Sequence, residues 1–145
     1  MNGIRAYFKV SDLIATSGQP SEEQFSEIAD AGYSLVINLA LSTSTYAVPT
    51  EREIVESLGM SYLHIPVSWE DPQLSDLQQF FDVMLSTNDR PVWVHCALNM
   101  RVSCFMYLYR LLVLGLPDAQ AKYPMSEIWQ PAGAWEALIN AAKEL

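Results

Sequence analysis

Apolar positions along this chain change period in a regular way. Residues 7–16 mix apolar and polar positions in the manner of one or two short edge strands. In SGQPSEEQFSEIADAGYSLVINLA, Ser21 and Gln24 have the spacing of a capping box. Glu22 and Glu23 suit the positive end of a helix, and Phe25, Ile28 and Ala29 form a one-sided stripe. Gly32 is a natural stop, and residues 35–39 read as a buried strand.

The same grammar then recurs. Thr50 is placed to cap a helix that ends at Gly59, and MSYLHIPV reads as a strand. A third helix is predicted within residues 72–87, with Leu74, Leu77, Phe80, Phe81 and Met84 on its inner side, and the strand PVWVHC follows. A long helix is predicted from Val102 to about Leu114, stopped by Gly115 and Pro117. Two further helical segments are predicted near 118–129 and 132–143. Strands alternating with helices predict an α/β fold: a central, mainly parallel sheet of about four or five strands with helices on both faces. No repeat or linker-like run divides residues 1–145, which read as one domain of 145 residues.

Half the residues are hydrophobic and 17% are charged, which is ordinary globular composition. The net charge of −9, with only eight Lys and Arg, argues against nucleic acid and anionic membrane as partners. An anionic substrate would need a local cation, and Arg101 is one of few available. Two cysteines, Cys96 and Cys104, do not make a disulfide framework, so a reducing compartment is expected. MNGIRAYFKVSD has no apolar run of signal-peptide type, which predicts a cytoplasmic protein, or a periplasmic one if a leader was removed before residue 1. FMYLYRLLVLGL is too short for a bilayer span and is interrupted by Arg110. His64, His95, Cys96 and Cys104 lack metal-ligand spacing, so neither metal nor cofactor is expected. Nothing here specifies an oligomeric state.

The chemistry concentrates in PVWVHCALNMRVS. In open α/β sheets ligands bind beyond the carboxyl ends of strands, where His95 and Cys96 fall. The turn after Cys96 leads into a helix whose first N–H groups lack partners, and these donors and a nearby cation favour a thiolate. Arg101 would close the ring with a planar donor matched to an oxyanion. His95 is a candidate for holding the turn through hydrogen bonds, and Asn99 tolerates a left-handed backbone. Cys104 reads as core, and Ser103 either assists thiolate departure or back-bonds within its helix.

A strand ending in His-Cys, a short loop, an arginine and then a helix resembles the cysteine-dependent phosphatases of tyrosine and dual-specificity type. The SGQP turn, its helix and the VINL strand resemble the bacterial phosphatase-like family also found fused to β-lactamase-like hydrolases. The resemblance covers roughly residues 7–114. It implies that Cys96 forms a phosphocysteine and that Arg101 and the loop Ala97, Leu98, Asn99 and Met100, flanked by His95, Val102 and Ser103, bind the phosphoryl group. It also implies an acid on the loop after an earlier strand. In SWEDP, Asp71 is the first choice and Glu70 the second, although Asp before Pro is also an ordinary helix start. Trp69 is placed to close the site over a ring or an apolar substrate.

The chain departs from that pattern in one respect. The family places five residues between Cys and Arg, followed by Ser or Thr. Here four residues, ALNM, intervene and Val102 follows. Either the loop has lost a residue and Arg101 keeps its place, or Val102 occupies the arginine's position and Ser103 keeps its offset. A four-residue interval is also the mark of rhodanese-type sulfurtransferases. Three functions are therefore in play: hydrolysis of phosphate monoesters, sulfur transfer through a Cys96 persulfide, and a catalytically weak module that binds phosphoanions. The partner in each is a phosphorylated or sulfur-containing anion.

Overall fold

Alternate residues of the parallel strands enter two separate apolar clusters, which is what a sheet covered on both faces requires. The computed structural model describes residues 3–87 and 89–145. Its strands are β1 (Phe8–Ser11), β2 (Ile14–Ser17), β3 (Leu35–Asn38), β4 (Ser61–His64) and β5 (Val92–His95). They form one sheet in the order β1-β2-β5-β3-β4. Only β1 and β2 pair antiparallel, and the other neighbours run parallel.

Ala15, Val36 and Trp93 face one side, where Phe25 and Ile28 of α1 (Glu22–Asp30) and Val55 of α2 (Glu51–Ser57) cover them. Leu35, Ile37, Val92 and Val94 face the other. There they meet α3 (Leu74–Leu85), α4 (Met100–Leu108) and α7 (Ala134–Lys143), which contribute Phe80, Phe105 and Trp135 to the core. The predicted sheet and its two helical layers are therefore present. Truncating Phe105, which is fully buried, would cost about 3–5 kcal/mol.

Local signals explain most boundaries. Ser21 Oγ accepts from the Gln24 amide at 3.2 Å and Gln24 Oε1 accepts from the Ser21 amide at 2.8 Å, which completes the capping box. Gly32 takes φ of 97° at the stop after α1. Thr50 precedes α2 but gives it no side-chain cap.

The helix expected at 102–114 divides instead. After α4 the chain widens into a π-helical turn, Tyr109–Val113, and Arg110 donates to the carbonyl of Gln120 at 3.1 Å and to that of Tyr123. A buried arginine serving two carbonyls of the next segment is a tertiary demand that local periodicity does not reveal. The segment near 118–129 is likewise two short helices, α5 (Asp118–Ala121) and α6 (Met125–Ile128). Among the described residues no helix is long and apolar enough to cross a membrane. No group of three or more His, Cys, Asp or Glu among them is placed to hold a metal ion.

Candidate active site

The central strand β5 delivers the candidate nucleophile. Cross-strand register aligns the last residues of four strands: Ser17 and Asn38 both pair with His95, and Asn38 pairs with His64. Ladder bonds run slightly past this row, from the Leu39 amide to the His95 carbonyl at 2.8 Å and from the Ile65 amide to the Asn38 carbonyl at 2.9 Å. The sheet is therefore rigid up to the point where Cys96 leaves it. Cys96 lines a cavity of about 450 Å³, together with Arg101, Ser44, Trp69 and Glu70. Ala97, Leu98 and Met100 also reach its wall, whereas Asn99, Val102 and Ser103 do not.

The backbone of the loop is arranged for an anion. The Cys96 amide bonds the Ser17 carbonyl at 3.4 Å. Among the described residues, no amide from Ala97 to Val102 donates to a backbone acceptor, and the next bond is Ser103 to the Asn99 carbonyl at 3.0 Å. The carbonyls, in contrast, are held. Gln19 N–H donates to Ala97 O at 3.0 Å, and His95 Nδ1 lies 3.3 Å from Cys96 O. In a trans peptide the N–H points opposite to the C=O, so holding these two oxygens also fixes the direction of the Ala97 and Leu98 amides.

Asn99 adopts φ of 66° and turns the chain into α4. Its Nδ2 donates to Ala6 O at 2.9 Å and to Thr16 Oγ1 at 3.1 Å, which anchors the turn from behind. Gly18 is needed for space, because a Cβ there would lie 2.6 Å from Ala97 O.

Arg101 and Val102, the two candidates for the arginine's position, lie in different surroundings, Arg101 at the cavity and Val102 in the core. Arg101 is buried, lines the cavity with Cys96, and donates to Val67 O at 3.1 Å and Ser44 Oγ at 3.3 Å. A guanidinium has five N–H donors, so these two bonds orient it and leave others for a ligand. Val102 belongs to the apolar core. Ser103 Oγ donates to Met100 O at 2.9 Å and accepts from Trp129 Nε1 at 3.0 Å, so of its two expected roles it takes the helical back-bond.

Behind the loop lies a buried ion pair. His95 Nε2 is 2.6 Å from Glu51 Oε2, and Gln19 Nε2 donates to Glu51 Oε1 at 2.8 Å. Both ring nitrogens of His95 face oxygens, so the ring is held from two sides. Burial alone would raise the Glu51 carboxyl. The His95 charge and hydrogen bonds from His95, Gln19 and Tyr62 outweigh it and hold the group below its ordinary value. Cys104 is the opposite case: burial pushes its thiol up to about 12.

The acid loop differs from the first expectation. Glu70 lines the Cys96 cavity, with Oε2 accepting from Ser68 Oγ at 3.4 Å. Asp71 does not; it lines a separate depression with Pro72, Gln73, Leu74 and residues of α7. The turn is fixed from both sides. Trp135 Nε1 donates to the Trp69 carbonyl at 2.9 Å, and Gln73 Nε2 donates to the Asp71 carbonyl at 3.2 Å. Gln73, not Asp71, is the cap position of α3. Trp69 stacks obliquely on Trp129 and Trp135, with ring centroids 5.3 and 5.7 Å away, so the C-terminal tryptophans buttress one cavity wall.

Three participants carried no assigned role in the sequence reading: Gln19, Ser44 and Glu51. Glu51 had a faint signal, since it occupies the same helical stripe as the buried Val55, four residues on. Ser44 sits in a Ser/Thr-rich stretch immediately beyond β3, where site loops occur.

Comparison with known proteins places the fold and the family. A curated relative, the Beta-lactamase hydrolase-like protein of Xylella fastidiosa (strain Temecula1 / ATCC 700964), is 29% identical over 105 residues, covering 70% of this chain. The chain spans only 23% of that relative's length. A crystal structure of a candidate phosphatase (DUF442) from Shewanella putrefaciens CN-32 superposes with a TM-score of 0.89 at 37% identity, covering 99% of this chain and 92% of the other. Tk-PTP in its active form shares the fold, with a TM-score of 0.79 at 18% identity over 96% of this chain and 97% of that one. The family model described as "DSP-PTPase phosphatase fused to NAD+ Kinase" matches residues 9–122. With most of the chain inside that match, and a strand, cysteine, loop and arginine arranged around one cavity, the protein belongs to this family of cysteine-dependent phosphatases.

Proposed function

We propose that this chain hydrolyses phosphate monoesters through a phosphocysteine on Cys96. The observation that carries the reading is the shared cavity of Cys96 and Arg101, at a loop whose amides from Ala97 to Val102 lack backbone acceptors. The Cys96 thiolate attacks phosphorus, and the bond to the leaving oxygen breaks. Arg101 and the loop amides hold the non-bridging oxygens as charge redistributes. Glu70 replaces Asp71 as the proposed acid: its proton goes to the departing oxygen, and the resulting carboxylate then takes a proton from the water that attacks the phosphocysteine. That second step frees inorganic phosphate and restores the thiolate. Trp69 and the exposed Leu98 form an apolar rim for the organic part of the ester.

The test is steady-state phosphate release from an aryl phosphate. Wild type is expected to turn over and to be inhibited by vanadate, and Cys96→Ser to lose at least about 1,000-fold, the scale of removing an essential nucleophile. Equal phosphate release by Cys96→Ser would overturn the reading.

A second reading follows from the four-residue interval between Cys96 and Arg101. One residue fewer means one N–H fewer and a tighter ring, which favours a smaller group such as a persulfide sulfur. In that reaction the thiolate takes the outer sulfur of thiosulfate, sulfite leaves, and cyanide then accepts the sulfur as thiocyanate. Thiocyanate formation without phosphate release would select it, and anion binding without either product would indicate a binding module.

A further inference from the structure

A closed circuit of hydrogen bonds lies behind the Cys96 loop. It runs from Ala97 O to the Gln19 amide, through the Gln19 side chain to Glu51 Oε1, from Glu51 Oε2 to His95 Nε2, and from His95 Nδ1 to Cys96 O. His95 and Glu51 are buried, at 0% and 4% exposure, so neither can exchange these partners for water without opening the fold. Glu51 comes from α2 and Gln19 from the turn after β2, 44 and 76 residues before His95. An unpaired carboxylate in such a place costs several kcal/mol, and here the His95 ring and the Gln19 amide supply its partners.

We infer that Glu51 is a positioning residue that, through His95 and together with Gln19, presets the Cys96 loop for its anion. The inference rests on reading this loop as the thiolate and anion site, and holds equally for phosphoryl and sulfur chemistry. The physical chain is short. Glu51 Oε2 fixes the His95 ring through Nε2, Nδ1 then holds Cys96 O, and the Ala97 amide is aimed in consequence. Gln19 N–H does the same for Ala97 O and the Leu98 amide.

The charged and titratable groups around the pair come from every neighbouring element. Tyr62 of β4 reaches Glu51 and is held by Asn38 Nδ2 of β3 at 3.1 Å. Arg52 of α2 stacks over the Tyr62 ring at 5.0 Å, and Cys96 follows His95 directly. Phe25 of α1 packs 6.0 Å from the imidazole and contributes no charge.

The experiment follows alkylation of Cys96 by iodoacetamide against pH, with and without inorganic phosphate, in wild type, Glu51→Gln and Gln19→Ala. Wild-type Cys96 should react at lower pH than the same cysteine in the guanidinium-unfolded chain, and phosphate should protect it. In Glu51→Gln the profile moves to higher pH, the phosphate concentration for half protection rises, and turnover falls by roughly 10- to 100-fold, the usual scale for an outer partner of a functional histidine. Gln19→Ala moves each readout the same way by a smaller amount and decides the matter should Glu51→Gln fail to fold. An acid-shifted, phosphate-protected wild type that the folded variants match would overturn the positioning role alone. A wild-type profile coincident with the unfolded chain, unprotected by phosphate, would overturn the site reading and this inference together.

Discussion

Two cysteine–arginine pairs belong to the helix that follows β5 and the segments flanking it, and their surroundings differ. At the amino end, Cys96 and Arg101 share a cavity, the preceding amides lack backbone acceptors, and Arg101 keeps donors to spare. In the middle of α4, Cys104 is sealed in the apolar core with its thiol pushed up to about 12, and in the turn after α4 Arg110 donates to carbonyls of the next segment. The residue types are the same in both pairs. What differs is the surroundings: one pair lines a cavity beside amides without backbone acceptors, whereas the other is buried, its arginine satisfying carbonyls of a later segment.

Exchanging the arginines for lysine tests that contrast most severely. Arg101→Lys is expected to lower kcat/KM by roughly 100- to 1,000-fold, as for loss of a preorganised oxyanion donor, together with a loss of stability of about 1–3 kcal/mol where the Val67 carbonyl loses its donor. Arg110→Lys should leave kcat/KM within a few-fold but lower stability by about 1–3 kcal/mol, because a buried carbonyl loses its donor. Urea denaturation and initial rates on both variants separate the two. A stable but inactive Arg110→Lys would break the comparison.

The acid loop offers the next largest effect. Glu70→Gln should reduce turnover of an alkyl phosphate by about 100-fold, since general-acid help matters most for a poor leaving group. Asp71→Asn, facing another depression, should stay near wild type. A reversal of that order would return the acid role to Asp71.

The smallest effect concerns stability against pH. The Glu51 carboxyl lies below its ordinary value of 4.5 in the folded chain, so the unfolded chain takes up its proton first as pH falls. Its contribution is complete above about pH 4.5 and is lost as pH descends through the lowered folded value. Wild type should therefore lose stability on acidification across that window, and Glu51→Gln should show a flatter dependence in urea titrations at successive pH values.

Sequence alone disclosed the parts of this molecule that local physics dictates. The capping box at Ser21 and Gln24, the stop at Gly32 and the alternation through LVIN and VWVH each follow from neighbours within a few residues. His95, Cys96 and Arg101 were legible for the same reason, being contiguous on one strand, turn and helix. Contacts that close over long separations were not. Glu51 meets His95 across 44 residues, and Ser44 meets Arg101 across 57. The turn that carries Glu70 and Asp71 is held by Trp135, whose indole reaches the Trp69 carbonyl from 66 residues away. The π-helical turn after α4 is of the same kind, since it accommodates Arg110 reaching α5 and the residues beyond it.

The most direct test of the central claim is to quench the enzyme in acid during turnover of an aryl phosphate and map the adduct by peptide mass spectrometry. One phosphoryl group on the peptide containing Cys96, absent from Cys96→Ser and from the Cys104 side of the helix, is the expected result. Phosphate released with no cysteine-bound intermediate, or an adduct confined to Cys104, would contradict the account.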